Sequence, residues 1–275
     1  MTDSYCVFGN PIGHSKSPVI HSAFARQTGQ DISYTARLAP QDGFAASVKD
    51  FIAAGGRGAN VTIPFKEEAF RLADRLTPRA QLAGAVNMLS FGLNDSGSGI
   101  VGDNTDGAGL VRDITTNLAT SIAGKRILLL GAGGAARGAI GPLLEEQPAE
   151  LVIVNRTAHK ARDLAEHFTA LGPISGGAYS GLSGQSFDIV INATSASLGG
   201  ELPPLPARIF APGSLAYEMM YGRGDTPFLL FAREEGAARL SDGLGMLIEQ
   251  AAEAFQLWCG VRPDAAPVMA QLRSA

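Results

Sequence analysis

Hydrophobic positions along the chain fall into two alternating patterns, which predict the order of its strands and helices. Short apolar runs, typical of buried strands, alternate with longer segments in which apolar residues recur at helical spacing. Strands and helices that alternate in this way form strand–helix–strand units, whose strands pair in a mostly parallel sheet. The pattern therefore predicts an α/β fold.

The first half of the chain carries one series of predicted elements. Strands are predicted at Tyr5–Gly9, Ile32–Leu38, Gly58–Thr62 and Ala85–Phe91. Helices are predicted to begin near Pro18, Ala45 and Phe65, and a further helix covers Ala108–Leu118. The turn-rich segment Asn94–Gly99 predicts a hairpin at the surface.

A second strand–helix series begins near Gly124 and predicts a second sheet. Its strands are Arg126–Leu130, Leu151–Asn155, Asp188–Asn192 and Leu215–Glu218, and its helices are Ala135–Glu145 and Ala158–Phe168. Two more helices follow, one from Gly243 through Trp258 and one opened by Pro263. Because 275 residues are many for one compact domain, we expect two domains with a cleft between them.

Composition and charge narrow the class of protein. Hydrophobic residues make up 45% of the chain and charged residues 17%, a balance that excludes a disordered protein. The net charge is −4, and no run of lysines and arginines offers a surface for a nucleic-acid backbone or an anionic membrane. We therefore expect no nucleic-acid partner and no membrane partner.

Cysteines and histidines give no sign of a disulfide framework or a metal site. The two cysteines, Cys6 and Cys259, form no C-x-x-C pair, and their small number favours a cytoplasmic location. The N-terminus lacks the pattern of a signal peptide, and no apolar stretch reaches the roughly 18 residues that cross a bilayer. No H-E-x-x-H or paired spacing occurs among His14, His21, His159 and His167, so we predict no metal.

A glycine-rich turn in the second half predicts a dinucleotide site. Gly131, Gly133 and Ala136 form a G-x-G-x-x-A pattern between a predicted strand and a predicted helix. Gly131 permits the tight turn, Gly133 lets the backbone approach a pyrophosphate, and free N–H groups at the helix start bind the anion. The alternative is a plain turn that uses glycine only for its backbone freedom.

The residues after the next strand favour NADP over NAD. An NAD site normally carries an acidic residue there, which binds the ribose 2′-hydroxyl. Here Val154 is followed by Asn155, Arg156 and Thr157, and the Arg156 guanidinium is suited to a 2′-phosphate. Lys160 adds a second, weaker positive charge. The alternative is that Arg156 is a solvated surface charge.

Lys66 and Asp106 are candidates for proton transfer. Lys66 follows a predicted strand and the turn at Pro64, and a lysine beside a carboxylate can exchange a proton with a substrate oxygen. The alternatives are that Lys66 is a surface lysine and that Asp106 caps the helix that follows it.

Ser15 and Ser17 precede a predicted helix, where they could bind a substrate carboxylate. Ser17 with Pro18 is equally typical of an N-cap. The residues alone therefore predict an NADP-dependent two-domain oxidoreductase without naming its substrate.

Taken together, four motifs resemble those of the shikimate dehydrogenase family, in the family's order and over nearly the whole chain. They are Phe8–Pro18, Asn60–Lys66, Gly84–Asn87 and Asn104–Gly107. The resemblance implies that Lys66 and Asp106 form the catalytic pair. It also implies that the substrate is bound by Ser15, Ser17, Thr62, Lys66, Asn87, Asp106, Tyr221 and Gln250.

The resemblance extends to the cofactor and to the domains. It implies NADP contacts from Gly131, Ala132, Gly133, Gly134, Ala135, Asn155, Arg156, Thr157, Lys160, Thr194, Ser195, Met219 and Gly243. It further implies a substrate-binding domain at residues 1–110, a Rossmann-like NADP domain at 111–242, and C-terminal helices at 243–275 that pack on the first domain. Pro78, where an acidic residue is expected, and Lys160, where an arginine is common, depart from the family pattern.

The implied activity is the reversible NADPH-dependent reduction of 3-dehydroshikimate to shikimate in aromatic amino-acid biosynthesis, by a monomer or homodimer. One alternative is a quinate/shikimate dehydrogenase that uses both NAD and NADP. Another is a related dehydrogenase for a different cyclic carboxylic acid. A third is a non-catalytic NADP-binding sensor, against which the presence of both Lys66 and Asp106 argues.

Overall fold

The computed structural model describes residues 2–92, 99–222 and 224–274. The hairpin predicted at Asn94–Gly99 lies outside these ranges except for Gly99. The chain divides into two compact units, one made of Met1–Gly109 with Leu247–Ala275 and the other of Leu110–Met246. Each unit contains its own six-stranded sheet, which confirms the predicted α/β fold.

The first unit has a mixed sheet. Its strands are β1 (Asp3–Gly9), β2 (Ile32–Leu38), β3 (Gly56–Val61), β4 (Arg75–Leu76), β5 (Met88–Phe91) and β6 (Ile100–Asp103). They lie in the order β2-β1-β3-β5-β6-β4. Strand β1 pairs in parallel with β2 and β3, whereas β5 is antiparallel to both β3 and β6. The sheet is therefore less parallel than the sequence pattern predicts.

Helices of the first unit connect and cover these strands. They are α1 (Ser17–Thr28), α2 (Phe44–Ala53), α3 (Lys66–Leu72), α4 (Pro78–Ala83) and α5 (Asp106–Arg112), the last continuing into the second unit. The chain returns to the first unit within α9 (Leu244–Cys259), and α10 (Ala265–Arg273) follows.

Side chains of β1 pack on both faces of the first sheet, because successive side chains of a strand point to opposite sides. Cys6 and Phe8 join a buried aromatic cluster with Phe44 and Phe51 of α2. Tyr5 faces the other way and stacks on Trp258 of α9, with ring centroids 4.8 Å apart. Helices thus cover both faces of the sheet.

The second unit has a fully parallel sheet. Its strands are β7 (Arg126–Leu130), β8 (Glu150–Val154), β9 (Ile174–Gly177), β10 (Phe187–Asn192), β11 (Phe210–Glu218) and β12 (Arg239–Ser241). Its helices are α6 (Gly134–Glu145), α7 (Ala158–Phe168) and α8 (Pro227–Glu234). The strand order β12-β11-β10-β7-β8-β9 reverses direction between β7 and β10, which is the switch point where doubly wound sheets bind ligands.

Several predicted boundaries need correction. The strand predicted at Ala85–Phe91 begins only at Met88, and the strand predicted at Leu215–Glu218 begins earlier, at Phe210. The helix predicted at Ala108–Leu118 begins at Asp106 and ends in a π-helical turn, Asp113–Asn117. The last helix begins after Asp264 because the side chain of that residue accepts a hydrogen bond from the Ala266 N–H.

Candidate active site

Lys66 and Asp106 form an ion pair in the first unit, although they are 40 residues apart. Lys66 is the first residue of α3 and Asp106 the first of α5, and the Nζ to Oδ2 distance is 2.5 Å. The Lys66 side chain is 31% exposed and that of Asp106 13%, so the pair is shielded but accessible. Lys66 is thus a partly buried, paired lysine rather than a solvated surface lysine. Asp106 is the first residue of its helix rather than the N-cap, and Asn104 Oδ1 accepts its N–H.

Asn87 and Thr105 fix the orientation of the Asp106 carboxylate. The Thr105 N–H donates to Asn87 Oδ1 at 2.8 Å, which requires the amide nitrogen of Asn87 to point the other way. That nitrogen donates to Asp106 Oδ1 at 2.8 Å. Each Asp106 oxygen therefore has its own partner, with Lys66 on one and Asn87 on the other.

Gln250 reaches the same cluster from α9. Its Nε2 donates to the carbonyl oxygen of Leu247 at 2.8 Å, so its Oε1 points toward the cluster. Oε1 accepts hydrogen bonds from Asn87 Nδ2 and Thr105 Oγ1, each at 3.3 Å. Part of the C-terminal helix thus belongs to the site of the first unit.

Asn60 and Tyr34 support the cluster from the interior. The Tyr34 hydroxyl donates to Asn60 Oδ1 at 2.6 Å, and Asn60 Nδ2 donates to the carbonyl oxygen of Asn87 at 3.3 Å. Burial raises the pKa of Tyr34 well above its usual value, and the nearby Ser17 side chain opposes part of that rise. The hydrogen bonds of Asn60 thus connect Tyr34 to Asn87.

Ser15, Ser17 and Thr62 lie in the loops at the start of α1 and after β3. The interpretation of Ser17 as an N-cap is wrong, because Lys16 occupies that position without a capping side chain and Ser17 is the first helical residue. Ser15 Oγ accepts the Ser17 N–H at 3.3 Å. The Thr62 N–H donates to the carbonyl oxygen of Phe8, which holds the end of β3 beside β1.

The structure places Met219, Tyr221 and Gly243 in the second unit. Gly243 is buried, and its N–H donates to the carbonyl oxygen of Met220 at 3.0 Å. A Cβ at position 243 would collide with the carbonyl oxygen of Met219, so only glycine fits there. Tyr221 is 36% exposed, and partial burial raises its pKa.

The glycine-rich turn has the geometry of a pyrophosphate site. Gly131 has a φ of +105° and donates its N–H to the carbonyl oxygen of Val154 at 2.8 Å. Helix α6 begins at Gly134 without a capping side chain, and no atom lies within 4 Å of where a Cβ would stand at Gly133 or Gly134. Free N–H groups and open space therefore coincide, and Ala132 and Ala135 flank them in the same segment.

The residues after β8 leave positive charge at the surface. Arg156 and Lys160 are exposed, and within the described part of the chain neither forms an ion pair. Arg156 lies near Tyr179, where burial raises the tyrosine pKa and the arginine charge opposes that rise. Asn155 Nδ2 donates to the carbonyl oxygen of Thr157, which shapes the turn that carries Arg156.

The loop after β10 contains Thr194 and Ser195. Thr194 donates both its N–H and its hydroxyl to Asn192 Oδ1, at 3.1 and 2.7 Å. Sequence reasoning missed Glu218, a buried carboxylate on the neighbouring strand that holds this loop. Its position at the carboxyl end of a parallel strand, where polar groups gather around ligands, was the available signal.

Among residues 2–92, 99–222 and 224–274, no group of three His, Cys, Asp or Glu side chains is arranged to hold a metal ion. Within the same ranges, no helix is both long enough and apolar enough to span a bilayer.

Three family descriptions match successive parts of the chain. Residues 7–89 match the shikimate dehydrogenase substrate binding domain, and residues 113–198 match shikimate / quinate 5-dehydrogenase. Residues 243–273 match the shikimate 5′-dehydrogenase C-terminal domain.

Individual relatives match over almost their full length. The NADP(+) shikimate dehydrogenase of Dechloromonas aromatica is 64% identical over 274 residues, which cover 100% of this chain and 98% of the relative. The crystal structure of an Ael1 enzyme from Pseudomonas putida has a TM-score of 0.93 and 53% identity, and covers 98% of each chain. Shikimate 5-dehydrogenase from Thermus thermophilus, solved with NADP(H) and shikimate, has a TM-score of 0.85 and 31% identity over 99% of each chain.

Proposed function

This chain belongs to the shikimate dehydrogenase family, and on that premise we propose that Lys66 and Asp106 carry the proton transfer when it reduces 3-dehydroshikimate to shikimate. The enzyme is an NADP-dependent oxidoreductase of the shikimate pathway, and the reaction is reversible. The observation that carries the residue assignment is the 2.5 Å ion pair, which is partly accessible to a substrate.

The geometry of the pair supports proton transfer by Lys66. NADPH, when bound, would supply the hydride for the carbonyl carbon of the substrate. The Lys66 ammonium gives a proton to the carbonyl oxygen, so a hydroxyl forms and the lysine is left as a neutral amine. Asp106 orients Lys66, and Asn87 holds Asp106 from the other side. Oxidation of shikimate reverses these steps, with Lys66 accepting the proton.

The substrate is held mainly by groups of the first unit. Ser15 and Ser17, near the start of α1, provide hydroxyl donors for its carboxylate, and Thr62 follows the end of β3. Asn87, Asp106 and Gln250 provide amide and carboxylate groups for its hydroxyls. Tyr221 contributes from its segment after β11. We assign substrate binding to residues 1–110 with the C-terminal helices at 243–275.

We assign cofactor binding to residues 111–242 together with Gly243. The N–H groups at Gly131–Ala135 bind the pyrophosphate, because that turn has open space and an uncapped helix start. Asn155, Arg156, Thr157 and Lys160 bind the adenosine 2′-phosphate, with the guanidinium of Arg156 as the main cation. Thr194, Ser195, Met219 and Gly243 flank the nicotinamide. The absence of a carboxylate at 155–157 supports NADP over NAD.

A lysine variant tests the proton-transfer assignment. Lys66→Met removes the proton donor and leaves the cofactor segments of the second unit unchanged. We expect kcat to fall by about 10²- to 10⁴-fold, the usual contribution of a general acid, while the affinity for NADP⁺ stays the same. Steady-state kinetics with shikimate and NADP⁺, together with calorimetric titration of NADP⁺, measure both quantities.

Lys49→Met is the matched control, because Lys49 is an exposed lysine on α2 of the same unit. It should keep full activity. Near-normal kcat in Lys66→Met would rule out Lys66 as the proton donor. Turnover of shikimate and quinate with NADP⁺ and with NAD⁺ separates the remaining alternatives: comparable rates with quinate or NAD⁺ indicate dual specificity, and no turnover in a protein that binds NADP⁺ indicates a sensor or a different substrate.

We also propose that the protein is cytoplasmic. Both cysteines are free thiols, which supports a reducing cytoplasm. We expect a monomer or a homodimer without a nucleic-acid partner, and light scattering in solution distinguishes the two states.

A further inference from the structure

Glu218 is a buried carboxylate in the second unit. It is the last residue of β11, and it has no solvent exposure. Its register partner on the neighbouring strand is Asn192, which is also fully buried and ends β10. The proton-transfer assignment uses neither side chain.

Hydrogen bonds from four segments converge on this carboxylate. Oε2 accepts from Asn192 Nδ2 at 2.9 Å, from Ser197 Oγ at 2.6 Å and from Thr226 Oγ1 at 3.1 Å. Oε1 accepts from the Met220 N–H at 3.0 Å. These donors come from the end of β10, from the loop after β10, from the start of α8 and from the loop after β11.

The donors are all neutral, and within the described part of the chain no cation pairs with Glu218. An unpaired buried carboxylate is costly unless several hydrogen bonds satisfy both of its oxygens. A position that served packing alone would be filled more favourably by an apolar side chain. The number of donors therefore indicates that the carboxylate holds these segments in position relative to one another.

Two of those segments carry residues that we assign to the nicotinamide. Asn192, held by Glu218 through its Nδ2, accepts the N–H and hydroxyl of Thr194 through its Oδ1. Met220, held by Glu218 through its N–H, follows Met219 directly, and its carbonyl oxygen accepts the Gly243 N–H. Thr194, Met219 and Gly243 thus depend on one carboxylate, directly or through one intermediate residue.

We propose that Glu218 is a positioning residue that sets the geometry of the nicotinamide-binding loops. The proposal rests on the assignment of Thr194, Met219 and Gly243 to the cofactor. It follows that Glu218 controls the affinity for NADP⁺ without touching the cofactor and without affecting shikimate binding, which we assign mainly to the first unit.

Glu218→Gln is the principal test, because glutamine keeps the size of the side chain and loses one acceptor oxygen. Its NH₂ group faces either the Met220 N–H or the three donors at Oε2, so at least one segment is released. We expect the Kd for NADP⁺ to rise roughly tenfold, the equivalent of one hydrogen bond to a charged group. Calorimetry measures the Kd in the absence of turnover, and amide NMR signals of Thr194 and Met220 report the movement of the loops.

Three further variants make the test decisive. Glu234→Gln changes an exposed glutamate of α8 and should leave the Kd unchanged. Ser197→Ala removes one donor and keeps the carboxylate, and we expect a smaller rise in Kd. An unchanged Kd for NADP⁺ in folded Glu218→Gln, or in Ser197→Ala if the glutamine variant does not fold, overturns the proposal. Thr194→Val tests the underlying assignment separately: if it leaves NADP⁺ binding unchanged, the cofactor assignment of that loop fails instead.

Discussion

His21 is a fully buried titratable residue of α1, surrounded by aromatic rings. Its ring stacks on Tyr34 with centroids 4.1 Å apart, and Phe24, Phe255 and Trp258 pack around it. Neither ring nitrogen makes a well-aligned hydrogen bond to the described residues. Burial lowers the pKa of His21 from 6.5 to about 3, and the nearby Asn60 side chain only partly opposes that effect. His21 is therefore neutral in the folded protein at physiological pH.

This lowered pKa makes stability depend on pH. Below pH 6.5 the unfolded chain binds a proton at His21 that the folded chain does not bind until about pH 3. The contribution of neutral His21 to the free energy of unfolding is therefore fully present above pH 6.5 and is lost as the pH falls toward 3. We expect His21→Phe to remove this dependence, so that wild type loses about 2 kcal/mol more than the variant between about pH 7.5 and 5. Urea unfolding at the two pH values measures the difference.

Phe255→Leu is a suitable control for His21, because it disturbs the same aromatic cluster without removing a titratable group. It should lower the free energy of unfolding by similar amounts at both pH values. If His21→Phe kept the full pH dependence of wild type between about pH 7.5 and 5, the low pKa of His21 would be contradicted.

At the residue level, the sequence singled out Lys66 and Asp106, which the structure pairs, but not the residues that support them. Lys66 and Asp106 could be chosen because their residue types suit proton transfer and their motifs are local. Tyr34, Thr105 and Glu218 could not be chosen in this way, since their importance comes from partners that are distant in sequence. Tyr34 bonds to a residue 26 positions away, and Glu218 bonds to one 26 positions away on a neighbouring strand.

At the level of secondary-structure elements, a network of charged side chains joins α4, β6 and α9 in the first unit. Arg79 forms hydrogen bonds with both oxygens of Asp103 at 2.7 Å and with Glu253 at 3.0 Å. Arg262 extends this network, since it forms ion pairs with both Glu253 and Glu249. Glu249 and Glu253 flank Gln250 on α9, so the network holds the helix that brings Gln250 to the site.

Arg79 also controls the charge state of Asp103. Burial of Asp103 favours its neutral form, but the hydrogen bonds and charge of Arg79 outweigh burial and hold the pKa of Asp103 below its usual value. The stabilisation from this pair is therefore present above the unfolded pKa of an aspartate and is lost as the pH falls below it. Asp103 Oδ1 also accepts the Asn104 N–H at 2.7 Å, two residues before Asp106.

Arg79→Met tests the strength of this network. Removing one partner leaves the buried Asp103 carboxylate without its cation, which typically costs about 3 kcal/mol. We expect the free energy of unfolding at neutral pH to fall by about that amount, and the KM for shikimate to rise because the Asn104–Asp106 segment is less well held. Urea unfolding and steady-state kinetics measure the two effects.

Arg57→Met gives the matched comparison, because Arg57 pairs with Asp3 in the same unit with side chains that are 62% and 47% exposed. We expect less than about 1 kcal/mol from this exposed pair. Equal losses in the two arginine variants would show that the Arg79 network has no special role.

Some elements were predicted with the ranges that the structure shows, and the shortest ones were missed. Strand β2 and helix α7 match their predicted ranges, because each has enough residues to display its repeat. Strands β4 and β12 contain two and three residues, too few for any pattern. Helix α8 was missed although Thr226, its N-cap, precedes Pro227 and accepts the Leu229 N–H, a signal that the sequence does contain.

For the molecule as a whole, the chain enters the second unit within α5 and leaves it within α9. The periodicity predicted α9 as a helix but gave no indication of which unit it joins. The resemblance to a known family supplied that expectation, since tertiary packing of a terminal helix depends on the surface that it covers. The packing of Phe255 and Trp258 on aromatic residues of the first unit, together with the hydrogen bonds of Gln250 to Asn87 and Thr105, is the physical reason why most of this helix belongs with that unit.

Hydrogen exchange tests this organisation with each ligand in turn. Shikimate should slow backbone exchange near Lys66, Asn87 and Asp106 and, far along the sequence, in Leu247–Cys259 around Gln250. NADP⁺ should instead slow exchange at Gly131–Ala136 and around Arg156. At a ligand concentration ten times the Kd, the expected slowing is on the order of tenfold.

In Gln250→Ala the shikimate effect in α9 should disappear while the NADP⁺ effect remains, because the substrate contact is lost and the dinucleotide turn is intact. If shikimate did not slow backbone exchange in Leu247–Cys259 of the wild-type protein, the assignment of Gln250 to the substrate site would be wrong.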